Sequence, residues 1–472
     1  MKKSTLNSRT LFIVSAVFIL SAMMGCSAQK TTDNYVSKGK IEYNLSAEDE
    51  KMLDTIQFKT FQYFINEYHP EKGIVRDRSQ KNSPASIAAT GFALPVYAVG
   101  VERKWISREK AVDITLKTLR YFANSTQSKT DSLAIGYKGF YYHFIGMESG
   151  KREWNCELSS IDTGLLLMGV IFARNYYNQN SADEKEIREL AEKLLGRLDW
   201  SIFYMDENSK QPATISMAWS PENGVTNWGW HGYTEGLFLY VLAAGTGIEN
   251  PEKTYEGWLR TYNWKTPYPG LSHVIFPPLF GHQFSHTFID FRSLADPYLK
   301  AKGIDYFENS RRATLTQQQY AIENPKAWVG YDSLTWGFTA TDGPGSVYNF
   351  GNKKFEGYAG RGSSGKEETV GEDGTLAPYG VLSSLPFTPE LSLATIKNMN
   401  AKYGSKIWGK YGYFDAFNPT AKWVSHDFIG IDQGPMLLMI ENFRSGLVWN
   451  YVMKDPIIQK GLETLHFEYN KK

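Results

Sequence analysis

The sequence predicts a mainly α-helical fold, an (α/α)6 toroid with long rim loops and a few short β-strands. Segments with the hydrophobic period of a helix recur from residue 47 to residue 467. Two kinds of segment alternate along the chain: amphipathic ones such as 107–124, and ones that are apolar on nearly all sides, such as 231–246. An all-apolar helix must be buried on most sides. We therefore expect two concentric rings, with the apolar helices inside.

Twelve helices are predicted in chain order. In the segment 107–124, Ser107 is a typical N-cap residue and Val112, Leu116 and Leu119 belong to one apolar face. The twelve segments are 47–68, 85–100, 107–124, 157–178, 183–204, 231–246, 284–300, 304–324, 374–384, 389–403, 433–447 and 455–467. Twelve helices are the number that six inner and six outer helices require.

Long connections separate several of these helices and carry many aromatic and turn residues. Loops of this length in a compact domain are usually functional, so we expect them to build a cleft on the rim of the ring. Short strands are predicted at "KGFYYHFI" and "YGYFDAFN", and "GRGSSGKEETVGEDGT" (360–375) is a candidate mobile flap.

The N-terminal region is predicted to be a signal peptide over residues 1–25. A basic start is followed by an apolar stretch and by "SAMMGC", which resembles a bacterial lipobox with Cys26 as the acylated residue. A plain secretory signal cut near Ala28 is the alternative. Residues 26–46 are then a flexible tether, and 47–472 form a single domain. We expect an exported lipoprotein of the outer membrane facing the periplasm, with the cell surface left open, and no other contact with a membrane.

Composition narrows the possible ligands. Lys and Arg number 51 against 50 Asp and Glu, without a basic patch, so no nucleic-acid partner is predicted. The 29 Tyr, 27 Phe and 13 Trp indicate either a large aromatic core or a cleft with flat faces for an uncharged ligand such as a sugar ring. The only cysteine besides Cys26 is Cys156, so lipidation of Cys26 would leave no intramolecular disulfide.

Glu235 is the first candidate for acid–base chemistry. It lies in "WGWHGYTEGLFLYVLAAGTG", directly before an apolar helix. Glycoside hydrolysis needs a carboxylic acid that keeps its proton, and apolar surroundings raise a carboxyl pKa. The alternative is a carboxylate stabilised by the helix N-terminus, which would lower the pKa instead.

Further acids lie beside two other apolar helices. Asp432 in "GIDQGPMLLMIENFRSGLVW" is either a second reacting group or the cap of the helix 433–447, and Glu441 is either reactive or paired structurally, for example with Arg444. In "WNCELSSIDTGLLLMG", Glu157 and Asp162 are equally well explained as caps, sugar-hydroxyl ligands or catalysts.

A metal site is one interpretation of "FGHQFSHTFIDFR". His282, His286 and Asp290 recur at i, i+4 and i+8, which resembles metal-ligand spacing, but nothing else in the chain supports it, and binding of hydroxyl groups serves equally well. Arg292 beside them can hold a carboxylate. No phosphate loop and no nucleophile elbow occurs in the sequence. We predict neither a metal nor another cofactor.

Five motifs occur in order: "HGYTEGLFLYVLAAGT", "FSHTFIDFR", "WGFTATDGP", "DGTLAPYGVLSSLPFTPE" and "YGYFDAFN…IDQGPMLLMIENFRSGLVW". Together they resemble the glucoamylase-like proteins of glycoside hydrolase family 144 over roughly residues 50–467. The resemblance implies an (α/α)6 fold and inverting hydrolysis of β-1,2-glucan, either internally or by release of sophorose from the non-reducing end.

The resemblance also assigns residues. The family's Y-N-E-A stretch falls on Glu235, here in "Y-T-E-G", and the resemblance implies that Glu235 is the general acid. The family's I-D-Q-G-P stretch falls on Asp432, which we take as the general base, with Glu441 as its replacement. Glu441, Asp162 and Glu157 match acidic positions without an assigned role. Expected sugar-binding residues of the cleft are Trp228, Trp230, His231, His286, Arg292, Trp336 and Asp342. The alternatives are a glycosidase acting on another glucan linkage and a lipid-anchored glycan-binding protein without catalysis.

Overall fold

The computed structural model of the chain describes residues 34–347 and 353–470, and from Tyr35 onward these form one compact unit. The predicted signal peptide and Cys26 lie outside the described residues. Within the described ranges, no helix has both the length and the apolar character needed to cross a bilayer.

Helices are the main regular secondary structure of the described chain. Their bounds are α1 Ala47–Asn66, α2 Ile87–Glu102, α3 Arg108–Asn124, α4 Ser160–Tyr176, α5 Ala182–Leu195, α6 Leu237–Thr246, α7 Pro251–Leu259, α8 Phe284–Phe288, α9 Pro297–Ala301, α10 Tyr306–Glu323, α11 Pro378–Ser383, α12 Pro389–Tyr403, α13 Gly430–Arg444, α14 Leu447–Val452 and α15 Pro456–Thr464.

Two rings account for the order of these helices, and the predicted toroid is confirmed. Helices α2, α4, α6, α8, α11 and α13 form the inner ring, with α2 packed between α4 and α13 and α13 packed on α11. Helices α1, α3, α5, α7, α10 and α12 alternate with them along the chain and lie outside. The apolar pattern explains the division, since α2 and α6 are buried nearly all round whereas α3 and α5 bury one face each.

The helices differ from the prediction in three places. Helices α7 and α14 were not predicted. Asn250 precedes α7 in the left-handed conformation and Pro251 occupies its first turn. The helix predicted over 284–300 is instead split into α8 and α9. Pro297 restricts the backbone of Asp296 before it, which is extended, so a continuous helix is excluded there.

The strands are short and all named pairs are antiparallel; some are hairpins, whereas β1 with β4, β5 with β6 and β10 with β17 join segments far apart in the chain. They are β1 Ala85–Ser86, β2 Gly136–Tyr137, β3 Phe140–Tyr141, β4 Phe144–Ile145, β5 Leu158–Ser159, β6 Ala218–Ser220, β7 Gly224–Val225, β8 Trp264–Lys265, β9 His273–Val274, β10 Leu294–Ala295, β11 Gly362–Ser363, β12 Thr369–Val370, β13 Trp408–Gly409, β14 Gly412–Tyr413, β15 Phe417–Asn418, β16 Trp423–Val424 and β17 Glu468–Tyr469. Strands β5, β6 and β7 form a three-stranded sheet, with Leu158 opposite Trp219 and Trp219 opposite Val225.

The flexible tether predicted for residues 26–46 is wrong for its second half. The hydroxyl of Tyr35 donates to the carbonyl of Phe467 at 2.7 Å, and the Ile41 amide donates to the carbonyl of Phe443 at 3.0 Å. The Lys38 amide donates to Asp290 Oδ2 at 2.8 Å. These bonds hold the segment against the domain.

The candidate flap at 360–375 is likewise packed. Strands β11 and β12 form a hairpin in it, and Arg361, which is 1% exposed, makes an ion pair with Asp373 at 3.0 Å. A buried arginine bound in this way fixes the segment on the rim.

Candidate active site

A cleft of about 610 Å³ opens where inner-ring helices begin. Ser86 caps α2 there, Asp162 lies in the first turn of α4, Glu235 precedes α6, Phe284 begins α8 and Asp432 lies in the first turn of α13. Since the inner helices of the toroid start on the same side, acids near their first residues converge on one cavity. The remaining wall is largely apolar.

Glu235 lies in this cleft two residues before α6, and it makes no ion pair in the described part of the chain. Burial raises its pKa to about 7, and the negative charge of Asp162 adds to the shift. Hydrogen bonds from its own amide and from Thr234 act in the opposite direction but are outweighed. The structure therefore favours a protonated acid over a carboxylate stabilised by the helix N-terminus.

Asp432 faces the same cleft but belongs to a cluster of acids. It is 1% exposed, and α13 is preceded by Ile429, so Asp432 does not cap the helix. Burial and the neighbouring Asp415 raise the pKa of Asp432 well above its usual range. Within the described chain, Asp432 Oδ2 and Asp415 Oδ1 are buried without a hydrogen-bond donor. Two such carboxyl groups cannot both ionise easily, so the pair shares one proton.

Arg78 neutralises part of this acid cluster. Its guanidinium lies 3.2 Å from both Asp342 and Asp427 and 3.6 Å from Asp77. The Asp342 amide donates to Asp415 Oδ2 at 2.7 Å. Asp342 therefore acts behind the cleft, through Arg78 and Asp415, rather than among the lining residues.

His143 links the two remaining predicted acids. Its Nδ1 lies 2.9 Å from Glu157 and its Nε2 lies 3.5 Å from Asp162. Burial alone would lower the pKa of His143, but Asp162 and Glu157 raise it to about 9. The imidazolium in turn lowers the pKa of Glu157 despite burial. Asp162 also accepts a 2.5 Å hydrogen bond from Ser159, the N-cap of α4.

Glu441 lies away from the cleft. Its carboxylate is 2% exposed and binds the Arg103 guanidinium through two bonds of 2.9 and 3.1 Å. Gln57 and Ser445 donate to it as well. The alternative prediction, that Glu441 forms a structural ion pair, therefore describes it, although the partner is Arg103 and not Arg444. Glu441 is not positioned to replace Asp432 as base.

Most predicted sugar-binding residues also lie outside the lining of the cleft. Trp230 is buried and donates to Ser160 at 3.0 Å, and His231 bonds to Thr261 at 2.8 Å. Trp228 is exposed but does not line the cavity. The aromatic composition gave no means of telling a core ring from a cleft ring.

The other three expected ligands belong to the core or its edge. His286 is buried against Ser310 at 3.0 Å, and burial lowers its pKa to about 3. Arg292 pairs with Asp290 at 2.6 Å, and Trp336 is fully buried. His286, Arg292 and Trp336 therefore do not line the sugar-binding cleft, contrary to the prediction. No group of three His, Cys, Asp or Glu residues suited to a metal occurs within 34–347 and 353–470.

Several cleft residues were missed by sequence reasoning. They are Asp77, Arg78, His143, Phe144, Trp154, Tyr358 and, behind Asp432, Asp415. All lie on rim loops or short strands, where no hydrophobic period marks them. Except for Asp77 and Arg78, the only available signal was their position in long connections rich in aromatic residues.

An α/α toroid that brings a protonated acid and a second carboxyl group into one cleft has the arrangement of a glycoside hydrolase. Comparison with known proteins agrees with this class. A family model described as "Putative glucoamylase" matches residues 227–456. A crystal structure of a "putative glucoamylase" from Bacteroides uniformis is 31% identical, with a TM-score of 0.77, covering 91% of this chain and 99% of that one. The chain belongs to this glucoamylase-like family, and the resemblance seen in the motifs is confirmed.

Two further relatives carry more specific names. The endo-β-1,2-glucanase of Chitinophaga pinensis, in complex with sophorotriose and glucose, is 27% identical, with a TM-score of 0.75, covering 90% of this chain and 99% of that one. The exo β-1,2-glucooligosaccharide sophorohydrolase (non-reducing end) of Parabacteroides distasonis is 30% identical over 454 residues, 88% of this chain. The chain spans 58% of the length of that protein.

Proposed function

We propose that this protein hydrolyses β-1,2-glucan with inversion at the anomeric carbon. The observation that carries the proposal is the raised pKa of Glu235, about 7, in a cleft that also holds Asp432. The names of the two β-1,2-glucan-active relatives support the linkage.

In this mechanism Glu235 is the general acid. Its proton passes to the glycosidic oxygen as the bond from that oxygen to the anomeric carbon breaks. Water attacks the opposite face of the ring and gives its proton to Asp432. Each product carries one new hydroxyl group, one from the protonated glycosidic oxygen and one from water. Asp432 then releases its proton to solvent and Glu235 takes one up, so one water is consumed per bond.

Asp415 controls the proton of Asp432. Burial and Asp415 together raise the pKa of Asp432 well above its usual range, so Asp432 accepts a proton from water only after the proton of the pair has moved to Asp415. The guanidinium of Arg78 limits the total negative charge of the cluster, since it pairs with Asp342 and Asp427. Asp415 is thus a positioning residue, which acts through Asp432.

The presence of both acids in one cleft favours hydrolysis over the alternative of a glycan-binding protein without catalysis. A glycosidase acting on another linkage would use the same acids, so only an assay with several glucans distinguishes it from a β-1,2-glucanase. Endo and exo action are separated by product size, and the relatives carry both names.

The test is product chromatography after incubation with linear β-1,2-glucan, starch, β-1,3-glucan and β-1,4-glucan. We expect cleavage of the β-1,2-glucan alone, and its loss in Glu235→Gln. Disaccharide from the earliest time point means exo action, and a ladder of sizes means endo action. Binding of β-1,2-glucan without any product would contradict the proposal and support a binding protein.

We also propose that the protein is an exported lipoprotein, acylated on Cys26 and anchored in the outer membrane on the periplasmic side. The lipobox-like "SAMMGC" supports this. Radiolabelled fatty acid should be incorporated into the wild type and not into Cys26→Ser. Protease treatment of intact cells then distinguishes the periplasmic face, which is protected, from the cell surface.

A further inference from the structure

One exposed tryptophan lies in the cleft. Trp154 and Trp228 are each 64% exposed, the largest exposed aromatic rings of the described chain. Of these two, Trp154 lines the cavity that holds Glu235 and Asp432, and Trp228 does not. A large apolar ring left open at the cleft that holds both acids indicates a ligand that covers it.

The ring of Trp154 rests on a support that reaches the acids. Its centroid lies 5.1 Å from that of Phe144, and the Phe144 ring stacks on His143 at 3.9 Å with an interplanar angle of 14°. His143 in turn binds Glu157 and lies 3.5 Å from Asp162. A continuous wall of rings therefore connects Trp154 with the charged part of the cleft.

The backbone holds Trp154 in place. Trp154 and Asn155 both have left-handed backbones, with φ of 54° and 49°, which is uncommon for two consecutive residues other than glycine. Arg152 fixes the turn by donating to the carbonyls of Asn155 and Cys156 at 2.7 and 2.5 Å and by pairing with Glu222 at 2.6 Å. Strain held by its surroundings in this way is typical of functional loops.

We propose that Trp154 is a sugar-binding platform at the mouth of the cleft, on which the apolar C–H face of a glucosyl ring of a β-linked glucooligosaccharide stacks. This inference rests on the proposed glucan hydrolysis and adds a subsite to it. A rigid aromatic face binds a flat, weakly polar ring at little entropic cost. Because the platform lies at the mouth, it binds a sugar unit next to those being cleaved and raises affinity for the chain.

The test compares three variants: Trp154→Ala, Trp154→Phe and Trp228→Ala. For β-1,2-glucan we expect Trp154→Ala to raise KM about tenfold with kcat within about twofold, since the stacking face is lost while the acids stay in place. Trp154→Phe keeps a flat face and should recover most of the affinity. Trp228→Ala, equally exposed but outside the lining, should match the wild type.

A second measurement separates this inference from the proposed function. Calorimetric titration with β-1,2-glucooligosaccharides needs no cleavage, and Trp154→Ala should bind about tenfold more weakly than the wild type. If the wild type binds the oligosaccharides but cleaves nothing, the proposed hydrolysis is overturned. The platform is then tested by this titration alone. Equal affinity of Trp154→Ala and wild type, or an equal loss in Trp228→Ala, would overturn the platform. Absence of binding by the wild type would overturn both.

The variants are also checked for folding. The side chain of Trp154 is mostly in solvent, so the melting temperature of Trp154→Ala should stay close to that of the wild type. A fall in kcat with unchanged KM would mean that the loop only supports His143, which contradicts a platform.

Discussion

Two glutamates beside apolar helices have opposite environments in this molecule. Glu441, on α13, is enclosed by donors: Arg103 binds it through two bonds, and Gln57 and Ser445 add two more. Glu235, at the start of α6, has no guanidinium or ammonium partner in the described chain, and burial raises its pKa to about 7.

The difference teaches how to separate a structural acid from a reactive one. A buried carboxylate with a complete set of donors is fixed and unavailable, whereas an enclosed carboxyl group without a cation keeps its proton and can release it. Both residues looked alike in the sequence, since each adjoins an apolar helical segment.

The largest contrast is expected in activity. Glu235→Gln removes the proton donor and should lower kcat/KM on β-1,2-glucan by about 10²–10⁴-fold. Glu441→Gln, assayed as folded protein, should retain activity within about threefold. Reducing-sugar release under identical conditions measures both. Similar losses in the two variants would break the distinction.

Stability should respond to pH through Glu235. Its pKa rises from 4.5 to about 7 on folding, so the folded state favours the proton and loses relative stability as pH rises from 4.5 to 7. A shift of this size is worth up to about 3 kcal/mol. Glu235→Gln removes this loss and should be more stable than wild type at pH 8, with little difference at pH 4. Urea unfolding at both pH values tests this, and an equal difference at both would contradict it.

Stability should fall in Glu441→Gln at neutral pH. The change leaves Arg103 without its carboxylate, but Arg103 is 23% exposed, so solvent recovers part of the cost. We expect a loss of about 2 kcal/mol, below that of a fully buried pair. Chemical denaturation measures it, and an unchanged midpoint would mean that the ion pair contributes nothing.

The smallest effect is expected at Asp415. Asp415→Asn removes the acid that raises the pKa of Asp432, so the base should stay ionised to lower pH. The acidic limb of the kcat/KM profile should then move down by about one pH unit, with some loss of maximal rate. An acidic limb that does not move would show that Asp415 does not act through Asp432.

The fold and the acids at helix starts were predictable because both depend on local patterns. Helical periodicity identified the rings, and Glu235, Asp162 and Asp432 adjoin apolar helices whose N-termini meet in a toroid. The inner helices begin on the same side of the toroid, so residues near their first turns lie together in the cleft.

Residues joined over long sequence distances were not predictable. Arg78 meets Asp427 across 349 positions, and Arg103 meets Glu441 across 338. Nearest-neighbour reasoning instead paired Glu441 with Arg444, which contacts Glu50 and Asp54 of α1. Likewise, Trp154 and Trp336 are the same residue type, one open to the cleft and one fully buried, and only packing distinguishes them.

The most direct test is the protonation state of Glu235 itself. Infrared difference spectra of wild type against Glu235→Gln isolate its carboxyl group, because Asp432 and Asp415 contribute to both proteins. The account predicts a protonated carboxyl band at pH 6 that titrates away with a pKa of about 7. A group that is already ionised at pH 6 would contradict it and remove Glu235 as the proton donor.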